Sequence, residues 1–206
     1  MSQELEGIRR LRSGALYMII VPLLLMLLPA VVALGFGLTG YPRTIVGPGM
    51  VHVRYVSYGG AAALGALTAA VALGVVSLVL MVLSFVNLRE GFSMLALAGR
   101  GGLTGSAGVI VVLVGILIVI VGALLSLIGG LLLIMVGLVI IVVGYIFIGV
   151  GFFEVGSSYN NGILEAGGIL VAIPLLITSF VGLIFCYVGL GEVETKLGTQ
   201  AAGSKS

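Results

Sequence analysis

Ionisable and metal-binding side chains are scarce in this sequence. It has no Asp and no Trp, one Cys (Cys186) and one His (His52), and charged residues make up 8% of its 206 positions. One cysteine cannot form a disulfide within the chain, and one Cys with one His leaves out the usual ligand sets for zinc, haem and iron–sulfur clusters. We therefore expect no cofactor and no metal, and Cys186, inside an apolar run, to behave as a small hydrophobe.

Common catalytic and nucleotide-binding motifs are also missing. The sequence has no H-E-x-x-H and no G-x-S-x-G, and Gly99, Gly101 and Gly102 are not followed by the Lys-Ser/Thr of a phosphate-binding loop. The nine basic residues are scattered, so no basic stripe exists to meet a nucleic-acid backbone. These absences predict a protein that is not an enzyme and that binds neither nucleotide nor nucleic acid.

Apolar residues are what the chain has in abundance. They make up 61% of it, and the mean hydropathy is +1.38. A bilayer core about 30 Å thick needs about 20 apolar residues of helix, and runs of that length recur between short polar breaks. They predict an all-α, multi-pass transmembrane bundle of about five helices in a single domain over 1–191, with a polar, flexible tail over 192–206. The predicted helices cover about 15–36, 60–86, 103–126, 130–153 and 163–190.

Basic residues near the helix ends predict the orientation. With five helices, the side of the N-terminus carries Arg9, Arg10, Arg12, Arg89 and Arg100. The other side carries Arg43, Arg54, Lys196 and Lys205. Because the arginines ahead of the first helix usually count most, we expect the N-terminus in the cytoplasm and the C-terminus outside the cell membrane. The first apolar run exceeds a usual signal-peptide core, so we expect it to remain in the protein.

The segment ahead of the first span has a helical pattern of its own. Leu5, Ile8 and Leu11 fall on one helical face, and Glu6 and Arg10 are four residues apart. This spacing predicts a short interfacial helix over residues 3–12.

Glycine recurs every seven residues in the third and fourth predicted helices. The positions are Gly108, Gly115, Gly122 and Gly129, then Gly130, Gly137, Gly144 and Gly151. A period of seven keeps a residue type on one stripe of a helix in a left-handed pair, and glycine there lets two backbones approach closely. We expect a tight helical hairpin that reverses near 126–130. A pore-lining role is the alternative, but neither stripe has polar partners, so packing is favoured.

One polar segment is bounded by helices, and it gives the first candidate site. Glu154 and Glu165 flank it, and Tyr159 and Asn160 lie within it. These four residues form a candidate polar or ion-contact site. The simpler interpretation is that Glu165 lies in the first turn of a helix, where the positive end of the helix dipole favours an anion.

The second candidate site is the loop between the first two helices. Tyr41, Arg43, His52 and Arg54 cluster there around a Gly-Pro-Gly turn, and the flanking stretches 44–46 and 50–55 predict a short hairpin. They form a candidate contact surface for a partner. The alternative is that Tyr and Arg anchor the loop among lipid headgroups.

Several short motifs resemble an archaeal multi-pass membrane family, domain of unknown function 973. They are Glu6-Gly7-Ile8, Leu11-Arg12-Ser13-Gly14-Ala15, Arg89-Glu90-Gly91-Phe92, the stretch 149–159, Gly167-Gly168-Ile169-Leu170 and Tyr187-Val188-Gly189-Leu190. The likeness spans nearly the whole chain. It implies an archaeal cell membrane and about this number of helices, and it brings no activity or site residues.

Taken as a whole, the sequence favours a non-enzymatic scaffold or accessory subunit of a membrane assembly. The expected partners are the lipid bilayer and either further copies of the chain or another membrane protein. The alternative is a channel or carrier for a small solute or ion, with the segment between Glu154 and Glu165 on its path. A polar cavity that reaches the midplane would favour that alternative.

Overall fold

The computed structural model describes residues 3–37, 41–47, 50–56, 60–126 and 130–203. For 34–63, 176 and 201–203 it describes only the backbone within those ranges. The elements are α1 (Gln3–Gly37), β1 (Tyr41–Gly47), β2 (Met50–Val56), α2 (Gly60–Leu97), α3 (Leu103–Leu124), α4 (Leu131–Ser158), α5 (Gly162–Ala172) and α6 (Leu176–Gly203).

A multi-pass helical bundle is confirmed. Five of the described helices, all except α5, are long and apolar enough to cross a membrane. The first two are longer than the apolar runs predict. The predicted interfacial helix over 3–12 is continuous with the first span, and α2 continues to Leu97. Both extensions pack on each other through Leu11, Leu88 and Leu95, which are fully buried, and this packing explains why the helices do not stop at the polar boundary.

The predicted fifth helix over 163–190 is wrong, because the chain breaks at Pro174. A proline has no N–H to donate and disfavours the helical conformation of the residue before it. Ile173 is accordingly extended, with φ −81° and ψ 112°. The run therefore forms two helices, α5 and α6, instead of one span.

The prediction of a flexible tail from residue 192 is also wrong for its described part. Helix α6 continues without interruption to Gly203. Glu192 and Glu194 explain this continuation, because each is bound to a residue at the end of another helix. The last three residues of the tail lie outside the described residues.

The chain divides into two compact units where the sequence predicts one domain. We call Ile20–Met81 the hairpin unit, and Met1–Ile19 with Val82–Ser206 the terminal unit. In the hairpin unit, β1 and β2 pair antiparallel, with Tyr41 opposite Val56 and Gly47 opposite Met50. The hairpin predicted over 44–46 and 50–55 falls within these strands.

In the terminal unit, α3 and α4 pack antiparallel along their glycines. A Cβ added at Gly108 would lie 2.7 Å from the backbone nitrogen of Ile148, and one at Gly144 would lie 2.7 Å from that of Val112. Real Cβ atoms do not come that close, so any larger residue would push the two backbones apart. Gly115, Gly122 and Gly137 meet the facing helix in the same way, while Gly129 lies outside the described residues.

Helix α5 lies antiparallel to both of its neighbours in the chain. Gly149 and Gly156 of α4 contact the two ends of α5, at Ala172 and Glu165. On α6, Gly182 contacts the backbone of Val171 and Gly189 contacts that of Leu164. The chain therefore reverses between α5 and α6, and α6 returns toward the end of α4.

This reversal places the end of α6 beside the beginning of α1. Glu194 binds Arg9 and Arg12, at 2.8 Å and 2.9 Å. The count of five helices predicts opposite sides for the two ends, whereas the structure places the end of α6 and the start of α1 at one face of the terminal unit, because the chain reverses once more between α5 and α6.

Gly144→Ala tests the glycine packing. The added methyl group collides with Val112, so the free energy of unfolding should fall by about 1–3 kcal/mol, the usual cost of overpacking. Gly74→Ala is the matched control, since its Cβ would have nothing within 4 Å and alanine favours a helix. Denaturant unfolding in detergent micelles measures both. Equal stability of the two variants would contradict the close approach.

Candidate functional site

Six helix ends of the terminal unit meet on one face, and we call their charged residues the polar cap. All seven glutamates of the chain lie there: Glu4, Glu6, Glu90, Glu154, Glu165, Glu192 and Glu194. Six basic residues accompany them: Arg9, Arg10, Arg12, Arg89, Arg100 and Lys196. Helices α1, α3 and α5 begin at this face, and α2, α4 and α6 end there.

One ion-pair cluster ties α1 to α6. Glu194 takes one arginine on each carboxylate oxygen, Arg9 on Oε1 and Arg12 on Oε2. The guanidinium of Arg12 also stacks over the ring of Tyr187, 4.7 Å from its centroid. The side chain of Glu194 is only 20% exposed, so solvent screens this cluster less than an ordinary surface pair.

A second row of side chains joins the start of α1 to the turns after α2 and α4. Arg100 donates from Nε to Glu4 at 3.1 Å, and its guanidinium carbon lies 5.2 Å from the centre of the Tyr159 ring. Burial, together with the nearby Glu4 carboxylate, raises the pKa of Tyr159 to about 12, although Arg100 opposes the shift. Its phenol oxygen is buried and has no hydrogen-bond partner among the described residues. Tyr159 thus acts mainly as a neutral ring beneath a cation.

Glu154 caps the N-terminus of α3 from the end of α4. Its Oε2 accepts the backbone N–H of Gly102 at 2.9 Å, and its Oε1 accepts the hydroxyl of Thr104. Gly102 has φ 94°, a left-handed conformation that suits glycine. A carboxylate at this position satisfies an N–H that the helix leaves free and complements the positive end of its dipole.

Asn161 has the same function at the start of α5. Its side-chain oxygen accepts the N–H of Leu164 at 2.9 Å, which is the usual hydrogen bond of an N-cap. Its Nδ2 donates to Glu192 of α6 at 2.9 Å. One buried asparagine therefore begins α5 and holds the far end of α6 against it.

The first candidate site is only partly assembled by the structure. Tyr159 and Glu154 belong to different contacts of the polar cap, and Asn160 is an exposed turn residue with φ 50°. Glu165 is half-buried against Gly156. Within the described ranges, no group of three or more His, Cys, Asp or Glu residues is placed to hold a metal ion.

The second candidate site lies largely outside what the structure describes. For Tyr41, Arg43, His52 and Arg54 only the backbone is described, and its register sets Arg43 opposite Arg54 and Ile45 opposite His52. The side chains that would form a partner contact lie outside the described residues.

The residues that organise the polar cap are mostly ones that the sequence does not single out. Tyr187 and Glu194 lie 175 and 182 positions from Arg12 along the chain, and no local pattern links the three. Asn161 does have a signal, since an asparagine just before an apolar run is typical of a helix N-cap.

Comparison with known protein families gives a match over nearly the whole chain. A model of the family described as protein of unknown function (DUF973) matches residues 4–206. No curated protein and no solved structure matches the chain.

Glu194→Ala tests the link between α1 and α6. Two arginines lose their partner, so the free energy of unfolding should fall by about 1–2 kcal/mol, and trypsin should cut faster after Lys196. Glu6→Ala is the control, because its pair with Arg10 is more exposed and lies within one helix, where such pairs contribute about 0.3–0.5 kcal/mol. If both variants behave alike, Glu194 does not hold the helices together.

Glu154→Ala tests the cap on α3. Loss of the acceptor for Gly102 and Thr104 should lower the free energy of unfolding by about 1–2 kcal/mol, as for other caps. Glu165→Ala removes a carboxylate of the same segment that has no hydrogen-bond partner among the described residues, and it should cost less. Thermal unfolding in detergent compares the two, and a larger loss at Glu165 would count against the cap.

Proposed function

The chain belongs to the family of proteins of unknown function described as DUF973, and from that premise we propose that it is a non-enzymatic scaffold or accessory subunit of a membrane assembly. It is a multi-pass membrane protein by its helices. The observation that carries the proposal is that most carboxylates of the polar cap bind other groups of the same chain.

Six of the seven glutamates bind another group of this same chain. Glu4, Glu6, Glu90 and Glu194 pair with arginines, Glu154 caps α3, and Glu192 accepts from Asn161. A transport pathway needs charged groups that can exchange partners with a solute, and an enzyme needs a group aimed at a substrate. In the described residues these carboxylates instead fix helix ends, which favours a structural role.

The exposed surface of the spans supports an assembly. Along the hairpin-unit part of α2, Leu64, Leu67 and Val71 are each about 60% exposed, and only 17% of the apolar window of α2 is buried within the chain. Such a surface is covered by lipid or by helices of a second membrane protein. We propose that part of it receives a partner helix, from another copy of the chain or from a different protein.

The basic residues support a cytoplasmic N-terminus in the cell membrane, as an archaeal family member would have. With α6 returning to the polar cap, six of the nine Lys and Arg residues gather on that face. Arg43 and Arg54 belong to the segment between two apolar helices. This asymmetry is larger than the five-helix count gives, and it points the polar cap into the cytoplasm.

One observation favours a second candidate, a channel or carrier. Helix α5 ends inside an apolar region at Pro174, and broken helices of this kind occur in ion and solute pathways. Glu165, half-buried in the first turn of α5, is the residue that such a pathway would use.

Gentle purification from the native membrane, followed by mass measurement of the intact complex, tests the main proposal. We expect a defined assembly, either with a stoichiometric second membrane protein or with further copies of the chain. A lone monomer that moves ions or solutes across liposomes would overturn the proposal, and loss of that flux in Glu165→Gln, but not in Glu6→Gln, would establish the second candidate.

A further inference from the structure

The α5–α6 pair begins and ends at the same face of the terminal unit. Asn161, just before α5, binds Glu192, and Leu164 lies against Gly189 of α6. Helix α5 has 11 residues, a length of about 16 Å, which is half of what a bilayer core of about 30 Å requires. The two helices therefore enter from the polar cap and return to it.

The turn between α5 and α6 has bonded carbonyls and exposed apolar side chains, which suit an environment without water. The hydroxyls of Thr178 and Ser179 donate to the carbonyls of Leu175 and Ile173, each at 2.9 Å. Each of these carbonyls also accepts a backbone N–H, Leu175 from Ser179 and Ile173 from Leu175, so both are fully bonded. Around these bonds, Leu175 is 61% exposed and Ile177 is 75% exposed. An apolar tip with bonded carbonyls belongs in hydrocarbon, where an unbonded carbonyl costs several kcal/mol.

Contacts with α4 and α3 give the depth of the tip. The backbone of Ala172 meets Gly149, and the preceding residue of α4, Ile148, meets Gly108. Gly108 is the sixth residue of α3, which spans 22 residues in all, so the end of α5 lies about 8 Å along α3 from its start. This depth, counted from the start of α3, is about half the thickness of a single leaflet of the core, which is about 15 Å.

We propose that α5 and α6 form a hairpin that inserts into one leaflet only, the leaflet next to the polar cap, with the acyl chains of that leaflet around its tip. Although α6 is long and apolar enough to cross a membrane, it does not cross. Four helices, α1 to α4, then cross the bilayer, and the hairpin adds two more helices to one leaflet. This inference concerns lipid contacts and holds whatever protein partner the scaffold has.

Cysteine labelling with a membrane-impermeant maleimide tests the topology of the full chain. Gln3→Cys and Thr199→Cys place exposed thiols at the two ends of the terminal unit, and Arg43→Cys marks the segment between α1 and α2. The unsubstituted chain gives the background, since its only thiol, Cys186, is buried. Intact expressing cells and sealed inverted membrane vesicles present the two sides.

We expect positions 3 and 199 to react from the same side and position 43 from the opposite side. Reaction of positions 3 and 199 from opposite sides would show that α6 crosses and would overturn the proposal. This result is independent of the assembly that co-purifies with the chain, so the two proposals can fail separately.

Depth measurement with nitroxide labels tests the second half of the proposal. Leu103→Cys, Leu113→Cys and Leu175→Cys lie at exposed apolar positions, at the start of α3, in its middle and at the hairpin tip. In proteoliposomes, the relaxation of each label by oxygen is compared with its relaxation by a water-soluble nickel complex, and the depths should increase in the order 103, 175, 113. A tip as accessible to nickel as position 103, or deeper than position 113, would overturn insertion into one leaflet.

Discussion

Close approach of backbones at glycine is the constraint on which the terminal unit depends. In lipid, burying leucine against leucine gains little, so helices associate where their backbones come close enough for dense van der Waals contact. The same device joins α3 to α4 at Gly108 and Gly144, α4 to α5 at Gly149, and α5 to α6 at Gly182. It also joins α1 to α2, where a Cβ at Gly14 would meet Leu88 at 2.8 Å. The packing of this bundle therefore depends more on glycines, which have no side chain, than on large apolar residues.

The contacts of the polar cap define how the helix ends are aligned, which the glycine contacts alone do not. Glycine stripes with a period of seven tolerate a slip by one heptad, because the next glycine presents the same surface. Glu194 between Arg9 and Arg12, Glu154 on the N–H of Gly102, and Asn161 on Glu192 of α6 each fit only one alignment of their helices. The polar cap therefore sets the register of the helices, and the glycines set the distance between them.

The sequence predicts the long helices well because their length follows from the thickness of a bilayer. It also predicts which helices reverse near residue 130. It fails at Pro174, since an apolar run over 163–190 has the length of a span, and a proline there is compatible with a kink or with a reversal. The deciding information is the pair of glycines 149 and 156 on α4, which offers α5 a place to pack. The candidate site shows the same limit, because Glu154 stands out as a charge beside a span, but its role depends on Gly102, 52 positions away.

A hairpin confined to one leaflet adds lateral area to one monolayer only. Within the terminal unit, α5 and α6 lie beside α4 on the side of the polar cap and displace lipid there alone, and each helix with its side chains is about 10 Å wide. The lateral area that the terminal unit occupies is therefore larger in the monolayer next to the polar cap than in the other. A flat bilayer must thin, stretch or bend to match that difference, so many copies side by side would favour a membrane that is convex toward the polar cap. In this way the position of a single proline is connected to the shape of the surrounding membrane.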